Sequence, residues 1–313
     1  MNCRFNVIFM GTPDFAVPSL HTLSRAGCHV SLVVTQPDRP RGRGRKPALP
    51  PVKAAALDLG YEVIQPETIR SDAFIETIRN RRPDLLVVVA FGRILPKAVL
   101  EIPAYGAVNV HASLLPKYRG PAPIQWAIIN GESATGVTTM LMDKGLDTGE
   151  ILLQSEMKIS PDDTSGDLHD RLAISGGDLL SETINAFHNN AIRPVPQNHA
   201  QATYAPMLTK ADGHIDWTLS AEAIERFIRG MTPWPGAFTF LDQKRLIVFK
   251  ASQRPADPVF LPGTIIPGFS NELRIATGNG GLAILEIQEA SGKRMPIDVY
   301  LKGKPIPTGA VLR

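Results

Sequence analysis

Apolar residues are arranged in two different rhythms along the chain. In the first part, short unbroken apolar runs are separated by amphipathic stretches of helical length. The run at 5–10 predicts a buried strand that ends at Gly11-Thr12-Pro13. A helix over 15–26 follows, with Gly27 as its stop. A second strand over 29–35 completes a βαβ unit of a parallel, doubly wound sheet. Next come a helix over 52–59, a short strand over 61–65 and a helix over 72–81. Residues 84–90, Asp-Leu-Leu-Val-Val-Val-Ala, read as a central strand buried on both faces. Further strands are predicted over 107–111, 135–142 and 151–159. Helices are predicted over 122–129 and from about Asp163 or Thr164 to 189.

The rhythm then changes. Residues 191–207 are rich in Pro, Gln, Asn and Ala and read as a linker. After a helix over 221–229, short strands follow over 237–241, 245–251, 263–266, 273–276 and 282–288, with turn signals between them. The expectation is an α/β, Rossmann-like, mostly parallel sheet domain over 1–190, then a small OB-like β-barrel over 208–313.

A length of 313 residues suits two domains at ~150 residues each. Hydrophobic and charged contents of 43% and 20% are those of an ordinary globular protein. The longest strongly apolar run falls far short of the ~20 residues of a membrane span, and no leader pattern precedes the first strand. A cytoplasmic protein without a membrane partner is expected. The two cysteines, Cys3 and Cys28, suggest a reducing compartment, with no disulfide framework and no CxxC metal clip. No heptad or obvious apolar patch argues for more than a monomer.

A net charge of +3 makes any nucleic-acid role a matter of local clustering. One cluster stands out. Arg39, Arg41, Arg43, Arg45 and Lys46 lie among Gly and Pro with no acid between them. That spacing forms no amphipathic face and predicts a mobile exposed loop, either a phosphate contact or a solvated linker.

The candidate chemistry lies at the end of the 107–111 strand. Asn109 and His111 are two apart and share a strand face. In open α/β sheets ligands bind beyond the carboxyl ends of strands, which brings the turn Phe91-Gly92-Arg93-Ile94-Leu95-Pro96 to the same edge. Asp147 lies in a glycine-punctuated loop about one helix and one strand further on, within reach of His111. A carboxamide, an imidazole and a carboxylate suit acyl transfer to an amine. The first two can bind the oxyanion of a tetrahedral intermediate, at roughly 3–4 kcal/mol of barrier per donor, and the imidazole or its bound water can move the proton. The alternative is a strand end with two polar residues facing solvent. Ser113 lacks a separate base, and no GxSxG, HExxH, P-loop or GxGxxG pattern occurs, so no nucleophilic serine, metal or dinucleotide site is predicted.

Several stretches together resemble the 10-formyltetrahydrofolate-dependent formyltransferases. They are Met10-Gly11-Thr12-Pro13-Asp14-Phe15, Ala107-Val108-Asn109-Val110-His111, and Ser113-Leu114-Leu115-Pro116-Lys117-Tyr118-Arg119-Gly120. The loop from Asp143 to Gly149 belongs with them. Tyr204-Ala205-Pro206, Ile215-Asp216-Trp217 and Pro233-Trp234-Pro235-Gly236 extend the likeness over nearly the whole chain, toward the branch that acts on methionyl-tRNA. The resemblance implies formyl transfer from 10-formyltetrahydrofolate to the amino group of initiator methionyl-tRNA, for translation initiation. It implies Asn109, His111 and Asp147 as catalytic residues. Phe91, Gly92, Ile94, Ser113, Leu114, Leu115 and Pro116 would form the folate site, and Arg39, Arg41, Arg43, Arg45, Lys46 and Lys210 the tRNA contacts. Phe91 stands where relatives often carry Tyr. Met207 stands where they often carry Lys, with Lys210 close by. A small amine-bearing nucleotide as acceptor, or a non-catalytic RNA-binding protein, are the alternatives.

Overall fold

A computed structural model describes residues 3–41, 46–257, 259–269, 272–290 and 292–313. The chain divides into two compact units that interleave along the sequence. Met1–Pro123, Ala134–Lys158 and His169–Ala205 make up the first, and Ile124–Ser133, Ile159–Leu168 and Pro206–Arg313 the second.

In chain order the elements of the first part are β1 (Asn6–Gly11), α1 (Val17–Arg25), β2 (His29–Val34), β3 (Arg39–Arg41), β4 (Lys46–Ala48), α2 (Pro51–Asp58) and β5 (Val63–Ile64). They continue with α3 (Asp72–Asn80), β6 (Leu85–Val89), α4 (Lys97–Leu100), β7 (Ala107–His111), α5 (Pro123–Ile129), β8 (Ala134–Leu141), β9 (Ile151–Lys158) and α6 (Ser165–His188). Seven strands form one sheet in the order β5-β2-β1-β6-β7-β8-β9. The first five are parallel, and β8 and β9 run antiparallel to their neighbours. The continuous apolar runs occupy the centre. Every residue of β6 is buried, as a strand covered on both faces requires. On one face Ile8, Met10, Leu32, Val34, Leu86 and Val88 pack with Phe74, Ile78 and Val99. Ser71 caps α3 by accepting from the Phe74 amide.

Two expectations need correction. Cys3 and Cys28 are joined by a disulfide rather than free. The cause is register. Asn6 lies beside His29 on neighbouring strands, and the Cys3 amide donates to Ala26 O. The segments leading into those strands therefore run together, with the two Cα atoms 4.6 Å apart. Second, the basic segment is not a plain loop. β3 and β4 pair antiparallel, Arg41 opposite Lys46 and Pro40 opposite Pro47; each proline biases itself and the residue before it toward extended backbone. Arg43 and Arg45, between them, lie outside the described residues.

The second part carries α7 (Ala221–Met231), β10 (Ala237–Leu241), β11 (Lys244–Arg254), β12 (Leu273–Ala276), β13 (Gly281–Glu289), β14 (Met295–Pro296) and α8 (Ile297–Gly303). Strands β10-β11-β13-β12 form an antiparallel sheet, with β14 added to β13. Isolated bridges join Ile265 to Ile275, Thr264 to Val311, and Leu312 to Leu241. The strand expected at 263–266 is present only as these bridges, and α8 went unforeseen. Among the described residues, no helix is long and apolar enough to cross a membrane.

Candidate active site

β7 owes its place to its neighbours. Asn109 pairs with Val88 of β6 on one side, and His111 with Thr138 of β8 on the other. The sheet consumes the backbone polar groups, so the chemistry available is that of the side chains. Alternation turns Val110 toward α6, where a Cβ placed on Gly176 would lie 3.0 Å from its Cγ1. Asn109 and His111 therefore leave the opposite face, at the carboxyl end of the parallel strands. Both are buried, at 9% and 6% exposure. Among the described residues no hydrogen bond engages the Asn109 carboxamide, so its N–H groups are available to a ligand.

The imidazole of His111 is fixed from two sides. Its Nε2 lies 3.0 Å from Tyr118 O. A carbonyl only accepts, so Nε2 donates to it and Nδ1 is the ring nitrogen left facing away from that bond. Nδ1 lies 3.7 Å from Asp147 Oδ2, and the Gly120 amide donates to that same oxygen at 2.8 Å. The acidic loop thus reaches His111. Sequence spacing predicts that these two residues can meet; the loop that connects them is held by contacts from elsewhere in the chain. Tyr118 and Asp147 both adopt left-handed backbone, with φ of 60° and 52°, a conformation costing about 1–2 kcal/mol for a non-glycine residue. Gly120, at φ 117°, lies so close to Ala205 that a Cβ would sit 2.7 Å from its carbonyl oxygen. Residues 203–205 strap this loop. Arg119 N donates to Thr203 O, Ala205 N to Arg119 O, and Tyr118 N to the Thr203 hydroxyl.

The other expected site residues divide. Ser113 is fully buried and donates to Lys117 O at 2.6 Å, and its carbonyl accepts from Thr138 Oγ1. Its hydroxyl is a loop clasp, with no free geometry for a nucleophile. Leu115 is buried, and its carbonyl accepts from Gln154. Leu114 and Pro116 are half-buried. At the end of β6, Phe91 is buried while Gly92 is exposed in left-handed backbone, and Ile94 projects at 73% exposure.

Three polar residues at this edge were missed by sequence reasoning. Gln36 donates to Phe91 O at 2.8 Å, the Thr12 hydroxyl accepts from the Gln36 amide, and Gln65 donates to Gln36 O. Thr12 directly follows β1 and Gln36 lies two residues past β2, so the strand-end rule applied to Phe91 would have found both. Asp38 closes the network, and its bonds to Lys53 and Gln65 hold its carboxyl below the usual aspartate value.

Of the expected cations, Arg39 and Lys210 are exposed. Arg41 and Lys46 have their backbone in the ribbon, and their side chains lie outside what is described. Among the described residues no cluster of His, Cys, Asp or Glu has the makings of a metal site.

Comparison with known proteins gives the family. The formyl transferase family profile matches residues 3–184, and the profile for the C-terminal domain of formyl transferases matches residues 207–305. The chain belongs to the formyl transferase family. Among its relatives is a methionyl-tRNA formyltransferase of Acetivibrio thermocellus. It is 49% identical over 307 residues, spanning 98% of this chain and 99% of the relative. Solved structures share the fold at lower identity. HypX from Aquifex aeolicus, in complex with tetrahydrofolic acid, is 17% identical with a TM-score of 0.63; the match covers 97% of this chain and 48% of that one. An N-formyltransferase from Helicobacter canadensis, in complex with folinic acid and dTDP-3-aminofucose, is 21% identical with a TM-score of 0.63. That match covers 92% of this chain and all of the other. As a family member the chain is a formyl-transferring enzyme.

Proposed function

We propose that the chain formylates the α-amino group of initiator methionyl-tRNA with 10-formyltetrahydrofolate as donor, and so serves translation initiation. The observation that carries this reading is the full-length relative, nearly half identical, that bears the name methionyl-tRNA formyltransferase. The donor supplies a formyl group already attached to nitrogen, so an amine can take it directly. Asn109 donates toward the formyl oxygen as it gains charge, at roughly 3–4 kcal/mol of barrier for one such donor. His111, held at Nε2 by Tyr118 O, exchanges a proton at Nδ1, and Asp147 faces that nitrogen. Ser113 takes no part, so no covalent enzyme intermediate is needed.

The strand-end turn fits a folate ring. Gly92 leaves its backbone open where a Cβ would meet Gln36 Nε2 at 2.6 Å, and Ile94 offers an uncovered apolar side chain. Gly92, Ile94 and the half-buried Leu114 and Pro116 form the ligand-facing part of the donor site, with Phe91, Ser113 and Leu115 behind them. Arg39, Arg41, Arg43, Arg45, Lys46 and Lys210 contact tRNA phosphates. The bridges from Ile265 through Val311 to Leu241 support an OB-like barrel for the second unit, with a catalytic domain over 1–190 and a linker over 191–207. In this reading the enzyme acts as a cytoplasmic monomer. The test is to incubate the protein with 10-formyltetrahydrofolate and either initiator or elongator methionyl-tRNA. N-formylated initiator methionyl-tRNA is expected. Formylation of an amino-sugar nucleotide, with methionyl-tRNA left unmodified, would overturn the assignment.

A further inference from the structure

Arg119 is the largest fully buried side chain described in the first unit, at 2% exposure, and among the described residues no carboxylate pairs with it. Its Nε and Nη2 both donate to Gln197 Oε1, at 3.0 and 2.7 Å, and Nη2 also lies 3.2 Å from His199 Nδ1. A buried guanidinium held by neutral acceptors is costly to maintain, and a surface loop has no stability reason to contain one. Its neighbours in the chain suggest the reason. Tyr118, one residue before, supplies the carbonyl that accepts from His111 Nε2. Gly120, one residue after, supplies the amide that donates to Asp147 Oδ2.

Gln197 holds the other half of the pair. It is 6% exposed although residues 193–196 and 198–201 around it are exposed. Its Nε2 donates to Asp147 O at 2.9 Å and to Gly149 O at 2.7 Å. One amide therefore spans from the Arg119 fork to the left-handed backbone of Asp147, and its carbonyl and amino group are both in use. Left-handed backbone at Tyr118 and Asp147 persists only where surrounding contacts over-determine it.

Building on the formyl-transfer reading, we propose that Arg119 and Gln197 are positioning residues, a buried fork and amide that hold the His111 ring and the Asp147 carboxylate in register. They touch no substrate. They act through the Tyr118 carbonyl, the Gly120 amide and the Asp147 backbone.

Gln197→Glu is the decisive variant. It keeps size and an acceptor for Arg119 but cannot donate to Asp147 O or Gly149 O. A misplacement of this order costs up to ~100-fold in rate. The expected result is a 10–100-fold fall in kcat, with KM for both substrates within about threefold and little change in Tm. In an Asp147→Asn background the same change should cost less than about threefold, because groups acting as one unit are non-additive. The imidazole NMR signals of His111 should move in Gln197→Glu, a readout that needs no turnover. Inactivity of the wild type toward methionyl-tRNA would sink the functional reading and leave this readout intact. Unchanged kcat together with unmoved His111 signals would overturn the positioning role. So would a full, additive loss in the Asp147→Asn background. If Gln197→Glu does not fold, Arg119→Lys, which keeps the charge and loses the fork, takes its place in the same cycle. Loss of fold in both would make the pair a folding element and also overturn the proposal.

Discussion

The loop around residues 118–120 and the rim of the antiparallel sheet both hold arginines, under opposite conditions. Arg119 is 2% exposed, and its Nε and Nη2 both donate to Gln197 Oε1, with His199 Nδ1 beside Nη2. Arg294 pairs with Glu286 while about half of its side chain remains in solvent, and it stacks over the Phe249 ring. Lys304 likewise pairs with Glu289 at an exposed edge. Exposed pairs of this kind contribute about 0–1 kcal/mol, because water screens the attraction and both side chains lose rotamer freedom. A buried hydrogen bond from a charged group is worth about 1.5–3 kcal/mol, because a donor that loses it has no water to turn to. The difference separates polar groups held away from water from those held in it, and on the proposed function the first set is the one ordered for chemistry.

The largest effects should come from the proton-exchanging pair. His111→Ala is expected to lower kcat by roughly 10²–10⁴-fold, the usual contribution of a positioned acid–base group. Asp147→Asn should also cost turnover, and Asn is the cleaner choice than Ala because it tolerates the left-handed φ of 52°. Steady-state formylation and thermal unfolding on the same samples check both. A variant that loses as much Tm as activity would erase the contrast between the two regions.

Gly92→Ala comes next. The new Cβ would press on Gln36 Nε2 at 2.6 Å and strain a backbone at φ 75°. Gln36 is a flexible side chain and can retreat, at the cost of its bond to Phe91 O. KM for the folate donor should rise about tenfold, with stability lower by about 1 kcal/mol. Isothermal titration with a folate analogue measures the first and a denaturant series the second. Unchanged donor affinity would remove this turn from the site.

What the sequence revealed of all this follows the range of the interactions. β6 and β7 announce themselves through local period and apolar continuity. His111 and Asp147 could be paired because consecutive elements tend to be neighbours in space. The Arg119–Gln197 contact could not, since its partners lie 78 residues apart; the Cys3–Cys28 bond spans only 25 residues but depends on how the segments leading into β1 and β2 run beside each other, which no local pattern states. In sequence, Arg119 beside Lys117 looks like any loop cation, and Gln197 among Pro, Asn and Ala like any linker residue. Burial alone tells them apart, and burial is a tertiary property. α8 was missed for a related reason. Its seven residues begin after Pro296 with no side-chain cap, leaving little local signal.

A smaller effect is expected at the ribbon. Arg39→Ala removes one exposed cation, which should weaken tRNA binding modestly and reduce the slope of log affinity against log salt by about one. Folding and donor affinity should not change. Filter binding of methionyl-tRNA across a salt series is the measurement, and an unchanged slope would remove Arg39 from the phosphate contacts.

The smallest effect belongs to the sheet rim, and it carries a pH signature. Glu289 accepts from Lys304 and from the Tyr300 hydroxyl, which lies 2.8 Å away. These bonds, Lys304 first, hold its carboxyl below the usual glutamate value. Burial, then the bond to Glu289, pushes the Tyr300 phenol up. A carboxyl lowered on folding stabilises the native state above the ordinary glutamate range, and that contribution is lost as pH falls through the folded value. Glu289→Gln should therefore cost about 0.5–1 kcal/mol near neutrality, the scale of a partly exposed pair. Wild type and variant should then converge as the solution is acidified below the glutamate range. A loss of several kcal/mol would mean that polar groups at this rim are held as tightly as those in the loop around His111, and the contrast between the two regions would fail.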